Sequence, residues 1–176
     1  YTVRCTASDE NGGSTTVSRQ ITVANVAPTM TLAGAAETGT EGQAIFLTAL
    51  AGDAAGILDP VSLSWTVMRG GQPIRSGNGN SAAFTLDSGV YEVIFAARDD
   101  DGGHTELIHT IDVANVAPAI DSLDAPATVN EGSAIVATAK ASDPSLADYP
   151  LTFNWTVTSP GSQVFTSSGP TLNFTP

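Results

Sequence analysis

The feature that most constrains this chain is that it repeats itself. Residues 21–28 read ITVANVAP and residues 111–118 read IDVANVAP, an offset of 90 residues. Without a gap, the same offset aligns Tyr1-Thr2-Val3 with Tyr91-Glu92-Val93 and Asp9-Glu10-Asn11-Gly12-Gly13 with Asp99-Asp100-Asp101-Gly102-Gly103. It also aligns Glu41-Gly42 with Glu131-Gly132, Asp53 with Asp143, and Trp65-Thr66-Val67 with Trp155-Thr156-Val157. Self-similarity at a fixed period marks structural units set in a row. Pro28 and Pro118 close one unit and open the next, because proline fixes its own backbone and drives the preceding residue to extended forms. Residues 29–118 are therefore read as one complete unit. Residues 1–28 are the two C-terminal strands of a preceding unit, and residues 119–176 are the N-terminal part of a following one. A linker this short, ending in proline, is a semi-rigid joint.

Within a unit the apolar residues recur with period two. Val61, Leu63, Trp65 and Val67 alternate with Ser62, Ser64 and Thr66. Leu151, Phe153, Trp155 and Val157 do the same, and Tyr91, Val93, Phe95 and Ala97 share one face, as do Leu107, Ile111 and Val113. This is the pattern of half-buried strands. Turns are predicted at Gly70-Gly71, Gly77-Asn78-Gly79-Asn80, Asp87-Ser88-Gly89 and Asp101-Gly102-Gly103. Roughly seven strands in about 90 residues predict an all-β fold of tandem immunoglobulin-like β-sandwich repeats. Trp65 is expected in the core, Tyr91 at a tyrosine corner, and Cys5, the counterpart of Phe95, as a small core residue.

Charge removes several functions. Eighteen acidic side chains face six basic ones, for a net charge of −12. Nucleic-acid recognition needs clustered Lys and Arg, so no nucleic-acid partner is expected. Docking on an anionic leaflet is disfavoured by the same balance. No apolar run approaches the 18 or more residues of a membrane helix, so no membrane insertion is expected in this segment. A single cysteine rules out an internal disulfide.

The features follow one another in a recognisable order. An N-V-A-P linker precedes V-N-E-G-S (Val129 to Ser133) and A-S-D-P (Ala141 to Pro144). Then come Phe153-Asn154-Trp155, G-V-Y-E-V (Gly89 to Val93) and R-D-D-D-G-G (Arg98 to Gly103). In this order they resemble the polycystic kidney disease (PKD) domain family and its cadherin-like bacterial relatives. Where PKD domains commonly carry W-D-F-G-D-G, this chain has Trp65-Thr66-Val67-Met68-Arg69-Gly70, which widens the resemblance to immunoglobulin-like surface repeats in general. The resemblance implies a non-catalytic extracellular or cell-surface repeat, serving as a stalk, spacer, adhesive array or filament subunit. The alternative it implies is an ancillary carbohydrate- or protein-binding module of a larger secreted enzyme. Neighbouring repeats of the same or an adjacent chain are the implied partners.

Calcium takes six to eight oxygen ligands from carboxylates, carbonyls and water. Predicted unit ends offer such oxygens at Asn25, Glu41, Asp53 and the run Asp99, Asp100 and Asp101, with counterparts at Asn115, Glu131, Asp143 and the run Asp9, Glu10 and Asn11. The family resemblance implies a calcium site built from Asn25, Asp53 and Asp99, with Asn115 and Asp143 beginning the next. The same residues also read as solvated turns, since Asp and Asn side chains bond nearby backbone. Catalytic readings fare worse. His104 and His109 flank Glu106 without the H-E-x-x-H order, and an odd separation places them on opposite faces of a strand. A Cys–His nucleophilic pair would need Cys5, whose counterpart is Phe95 and which reads as a core residue, and no phosphate-binding glycine loop occurs.

A sandwich unit without its last two strands exposes core and open edges. Residues 1–28 are therefore expected to pair with a partial unit outside this segment, in a longer array or in a separate chain that would grow into a homopolymer.

Overall fold

The computed structural model describes residues 1–159 and 162–176. In chain order the strands are β1 (Thr2–Ser8), β2 (Ser14–Gln20), β3 (Thr29–Ala33), β4 (Thr38–Thr40) and β5 (Ala44–Gly52). Next come β6 (Ser62–Arg69), β7 (Gln72–Asn78), β8 (Ser81–Thr85), β9 (Gly89–Arg98) and β10 (His104–Ala114). The last five are β11 (Ala119–Asp124), β12 (Ile135–Ser142), β13 (Asn154–Ser159), β14 (Ser162–Ser168) and β15 (Thr171–Phe174). Two three-residue 3-10 turns, Gly56–Leu58 and Leu146–Asp148, interrupt them. No helix among the described residues is long and apolar enough to cross a membrane. The fold is all-β and immunoglobulin-like.

Residues 29–118 make a two-layer sandwich. One sheet runs β3-β5-β8 and the other β4-β10-β9-β6-β7. All pairs are antiparallel except β4 with β10, which is parallel. The period-two alternation decides what each sheet turns inward. Tyr91, Val93 and Phe95 of β9 and Ile111 and Val113 of β10 join Leu47, Ala49, Ala82 and Phe84 in one buried cluster. Each large side chain buried this way contributes about 1.5–3 kcal/mol, which is what selects this register over a one-residue slip.

Trp65 packs against that cluster, its ring 6.0 Å from Phe84. Its presence corrects one predicted turn. Gly77 and Asn78 continue β7, and only Gly79, at φ +98°, turns the chain. A Cβ on Gly77 would run into the Trp65 indole, so this glycine serves close packing, not a bend. Tyr91 does form the expected corner, its hydroxyl donating to the Asp87 carbonyl at 3.0 Å.

Adding 90 to the strand positions gives the same elements again. β11, β12 and β15 correspond to β3, β5 and β8, and hairpin β13–β14 corresponds to β6–β7. Hairpin β1–β2 corresponds to β9–β10 but stands as a two-stranded sheet of its own. Cys5 is consequently exposed. Its inward-facing parity is that of Phe95, yet among the described residues no second sheet lies under β1, so the expected core position is exposed.

Tyr91→Phe is expected to lower the unfolding free energy of the 29–118 sandwich by about 1 kcal/mol, the usual net worth of one such hydrogen bond. Urea denaturation should show a lower midpoint with an unchanged slope. An unchanged midpoint would contradict a stabilising corner.

Candidate metal centre

Strands β5 and β9 both end at the pole of the sandwich where the chain enters. Asp53 follows β5, Asp59 follows the first 3-10 turn, and Asp99 follows β9. The incoming linker is clamped to the same pole. Thr105 donates its hydroxyl to the Pro28 carbonyl at 2.6 Å, and the Asn25 amide donates to Asp99 Oδ2 at 3.0 Å.

Carboxylate oxygens of Asp53, Asp59 and Asp99 lie within 4.8 Å of one another, and those of Asp59, Asp100 and Asp101 do likewise. Asp53 spends Oδ1 on the Ala55 N–H at 2.8 Å, while its Oδ2 is buried without a donor. Asp59 is 5% exposed, and its Oδ1 is also buried without a donor. Buried carboxylate oxygens are normally satisfied, so two orphans facing one another's charge are a signal.

The electrostatics agree with the geometry. Asp59 is pushed up to about 6, first by its contact with the Asp100 carboxyl, then by burial and by the charges of Asp53 and Asp99. Asp99 is held below the ordinary carboxylate range, first by the Asn25 amide and then by the N–H groups of Gly103, Asp101 and Gly102, against the effect of burial. The two act oppositely on stability. Asp59 binds its proton more tightly folded than unfolded, so its contribution is present at low pH and is lost as pH rises through about 6. The contribution of Asp99 is present at neutral pH and is lost as the carboxyl protonates.

The two glycines of the D-D-D-G-G loop have different reasons. Gly102 adopts φ +95°, whereas Gly103 has no room for a Cβ, which would strike Asp99, the Ala27 backbone and Asn25. The loop closes on itself: Asp99 Oδ1 accepts the Gly103 N–H at 2.6 Å. Asp9 does the same 90 residues earlier, accepting from Asn11 at 3.0 Å and Gly13 at 2.8 Å. The turn is thus a property of the loop sequence, and it aims the first aspartate of each copy.

Other expected ligands lie elsewhere. Glu41 sits at the opposite pole, a full β9 length away, and is 1% exposed. Its Oε1 accepts the Val116 N–H at 2.6 Å and its Oε2 the Ser88 N–H at 3.1 Å. This carboxylate braces the outgoing linker against the sandwich. Carboxylate oxygens of Asp143 and Asp148 approach it within 4.8 Å, so two expected ligands, Glu41 and Asp143, meet here, with both oxygens of Glu41 also accepting backbone N–H groups. Asp143 takes the Ser145 N–H at 2.9 Å, and Ser145 donates to Asp87 at 2.9 Å across this second joint. Asn115 and Glu131 are exposed and belong to neither cluster. His109 bonds the Ala36 carbonyl at 2.9 Å, away from His104. Asp59 is the residue that sequence reasoning missed. The counterpart of Asp59 is Tyr149, so the repeat gave no signal for it, and only the Asp-Pro step before a strand marks it.

No protein-family model matches the chain, and no curated protein matches it. The chain is similar to several solved structures. The fibronectin(III)-like modules of Clostridium thermocellum CbhA share 20% identity over 84% of this chain and 79% of theirs, with a TM-score of 0.39. Extracellular cadherin domains 3–6 of protocadherin gamma B2 share 18% over 90% of this chain and 42% of theirs, at 0.36. The FN1–FN3 domains of chicken CNTN1 share 10% over 97% and 65%, at 0.35.

In metal-free protein, the Asp59 carboxyl carbon should titrate near pH 6 by NMR. Asp100→Asn should bring that midpoint down, because it removes the largest cause of the rise. A midpoint in the ordinary carboxylate range in the unsubstituted protein would contradict the buried cluster.

Proposed function

We propose that this chain is an extracellular structural or adhesive repeat, a stalk, spacer or filament segment of the PKD-like and cadherin-like kind. In this reading it is no enzyme. Its mechanism is mechanical: units in a row, with a calcium ion fixing the angle at which one enters the next. The observation that carries the proposal is the pair of buried, donorless oxygens on Asp53 and Asp59 beside the linker.

A hard divalent cation is what such oxygens lack. Asp53, Asp59 and Asp99 would hold it, with Asp100 and Asp101 beside them, and all are oxygen donors of the kind calcium selects. When bound, the ion neutralises carboxylates that otherwise repel one another. Asn25 plays a different part from the one the family resemblance implies. Its amide nitrogen donates to Asp99, so it ties the linker to a ligand and orients that carboxylate. Asp99 accepts the Gly103 N–H on Oδ1 and the Asn25 amide on Oδ2, so its bond to the cation would use a second lone pair of one of these oxygens. The opposite pole needs no ion to hold its linker, because Glu41 already grips Val116 and Ser88.

Thermal unfolding of the full chain in millimolar calcium and in excess chelator tests this. A ligand at 100 times its dissociation constant adds about 2.7 kcal/mol, or several degrees in midpoint for a unit this size. Asp59→Ala should abolish the calcium response, whereas Glu131→Ala should keep it. Coincident curves with and without calcium would remove the ion and leave the loops as turns.

A further inference from the structure

The second joint, at the Glu41 pole, holds a cavity that the calcium reading does not use. Its volume is about 550 Å³, the size of sites that take small organic ligands. Arg69 and Arg75 line it, so two of the six basic side chains in a chain of net charge −12 stand together. Among the described residues Asp87 is the only acidic one lining it. We propose that this cavity binds a uronate-type acidic sugar, with the two guanidiniums taking its carboxylate and the apolar wall taking a face of its ring.

Arg69 is held ready for such a ligand. Its Nη2 donates to the Ser88 carbonyl at 2.9 Å, and its guanidinium carbon lies 5.2 Å from the centroid of the Tyr91 ring. The hydroxyl of that ring is itself fixed on the Asp87 carbonyl. Gly89 leaves the room, since a Cβ there would stand 3.1 Å from Arg69 Nη2. A guanidinium carries five N–H donors and the Ser88 carbonyl is neutral, so this bond exhausts neither the donors nor the charge of Arg69. Burial pushes the Tyr91 phenol up, and the charges of Arg69 and Arg75 both oppose it, which sets the two cations about one point. Guanidinium forks match a planar carboxylate there.

The remaining walls choose among anions. Ile74 is 45% exposed and Leu146 85%, and with Leu86 they give the cavity an apolar side. Thr85 and Asp87 add a hydroxyl and a carboxylate, which are partners for sugar hydroxyls. A uronate offers a carboxylate, several hydroxyls and an apolar ring face in one residue. Sulfate or phosphate would use the arginines alone, and the acidic side chain of a peptide would bring no hydroxyls to Thr85 and Asp87.

The repeat sets this pair apart from the scaffold. At an offset of 90, Trp65 is kept as Trp155, but Arg69 becomes Ser159 and Arg75 becomes Phe165. The sandwich pattern therefore does not require either arginine. The cavity is also built by two units. Pro144 and Leu146 belong to the following one, and Ser145 between them is 2% exposed and donates to Asp87 Oδ1 at 2.9 Å. Gly42 admits Pro144, because a Cβ on Gly42 would run into the proline ring. A sugar in the cavity thus touches both units at their joint. The inference goes beyond the calcium reading and does not depend on it, since Asp53, Asp59 and Asp99 lie at the opposite pole.

The test is titration of the 176-residue chain with digalacturonate in calcium-free buffer, followed by backbone amide NMR shifts. The neutral disaccharide digalactose and inorganic sulfate are titrated in parallel. Digalacturonate should give saturable shifts at residues 74–76, 87–89 and 146, digalactose should give none, and sulfate should bind at least about tenfold more weakly. Arg75 is exposed, so Arg75→Gln should keep the unfolding midpoint while weakening digalacturonate about tenfold or more, the worth of one charged hydrogen bond. Arg98→Gln, at the other end of β9, should bind as the unsubstituted protein does. No shift at these residues overturns the inference, as does an equal response to digalactose or to sulfate. Undiminished affinity in Arg75→Gln overturns it too.

Discussion

The structure depends on one strand pairing. β9 lies between β10 and β6, and its inward residues Tyr91, Val93 and Phe95 are among the most buried in the molecule. Because it is ten residues long, it also spans the sandwich from pole to pole. Its first turn carries the tyrosine corner and the Ser88 N–H that Glu41 grips, and its last residue hands over to Asp99. A single strand, fixed by apolar burial, therefore sets the positions of both linker attachments.

Those attachments use the same chemistry to opposite ends. Glu41 is almost fully buried and has two backbone donors, so its charge is solvated by the protein and its pole is closed. Asp59 is nearly as buried but faces Asp53, Asp99 and Asp100 with an oxygen that no donor meets. Contact with the Asp100 carboxyl, and then burial, favour its protonated form and raise its pKa, and the same surroundings favour a cation. One joint is thus internally satisfied, and the other is poised on what occupies it.

Much of this is legible in the sequence. The repeat at 90 residues located the linkers, and apolar parity placed Tyr91, Phe95 and Trp65. The recurring aspartates marked Asp53 and Asp99, which do meet at one pole beside Asn25. Other features escaped for identifiable reasons. Asp59 is not repeated. β4, Thr38-Gly39-Thr40, carries no apolar residue and exists only because β10 offers it a parallel edge. Glu41 is marked in the sequence by its acidic repeat, whereas its backbone N–H partners, 47 and 75 residues away, are something that no pattern of side chains reveals. Gly77 looked like a turn because the space that it leaves for the Trp65 indole is set by another strand.

The central claim is mechanical, that the Asn25–Asp99 tie and the carboxylates around it set the angle between hairpin β1–β2 and the 29–118 sandwich. Residual dipolar couplings of backbone amides test it most directly. With calcium present, amides of residues 1–20 and of residues 29–118 should fit one alignment tensor, and with chelator the hairpin couplings should shrink. Hairpin couplings that are small and unchanged by calcium would contradict the account.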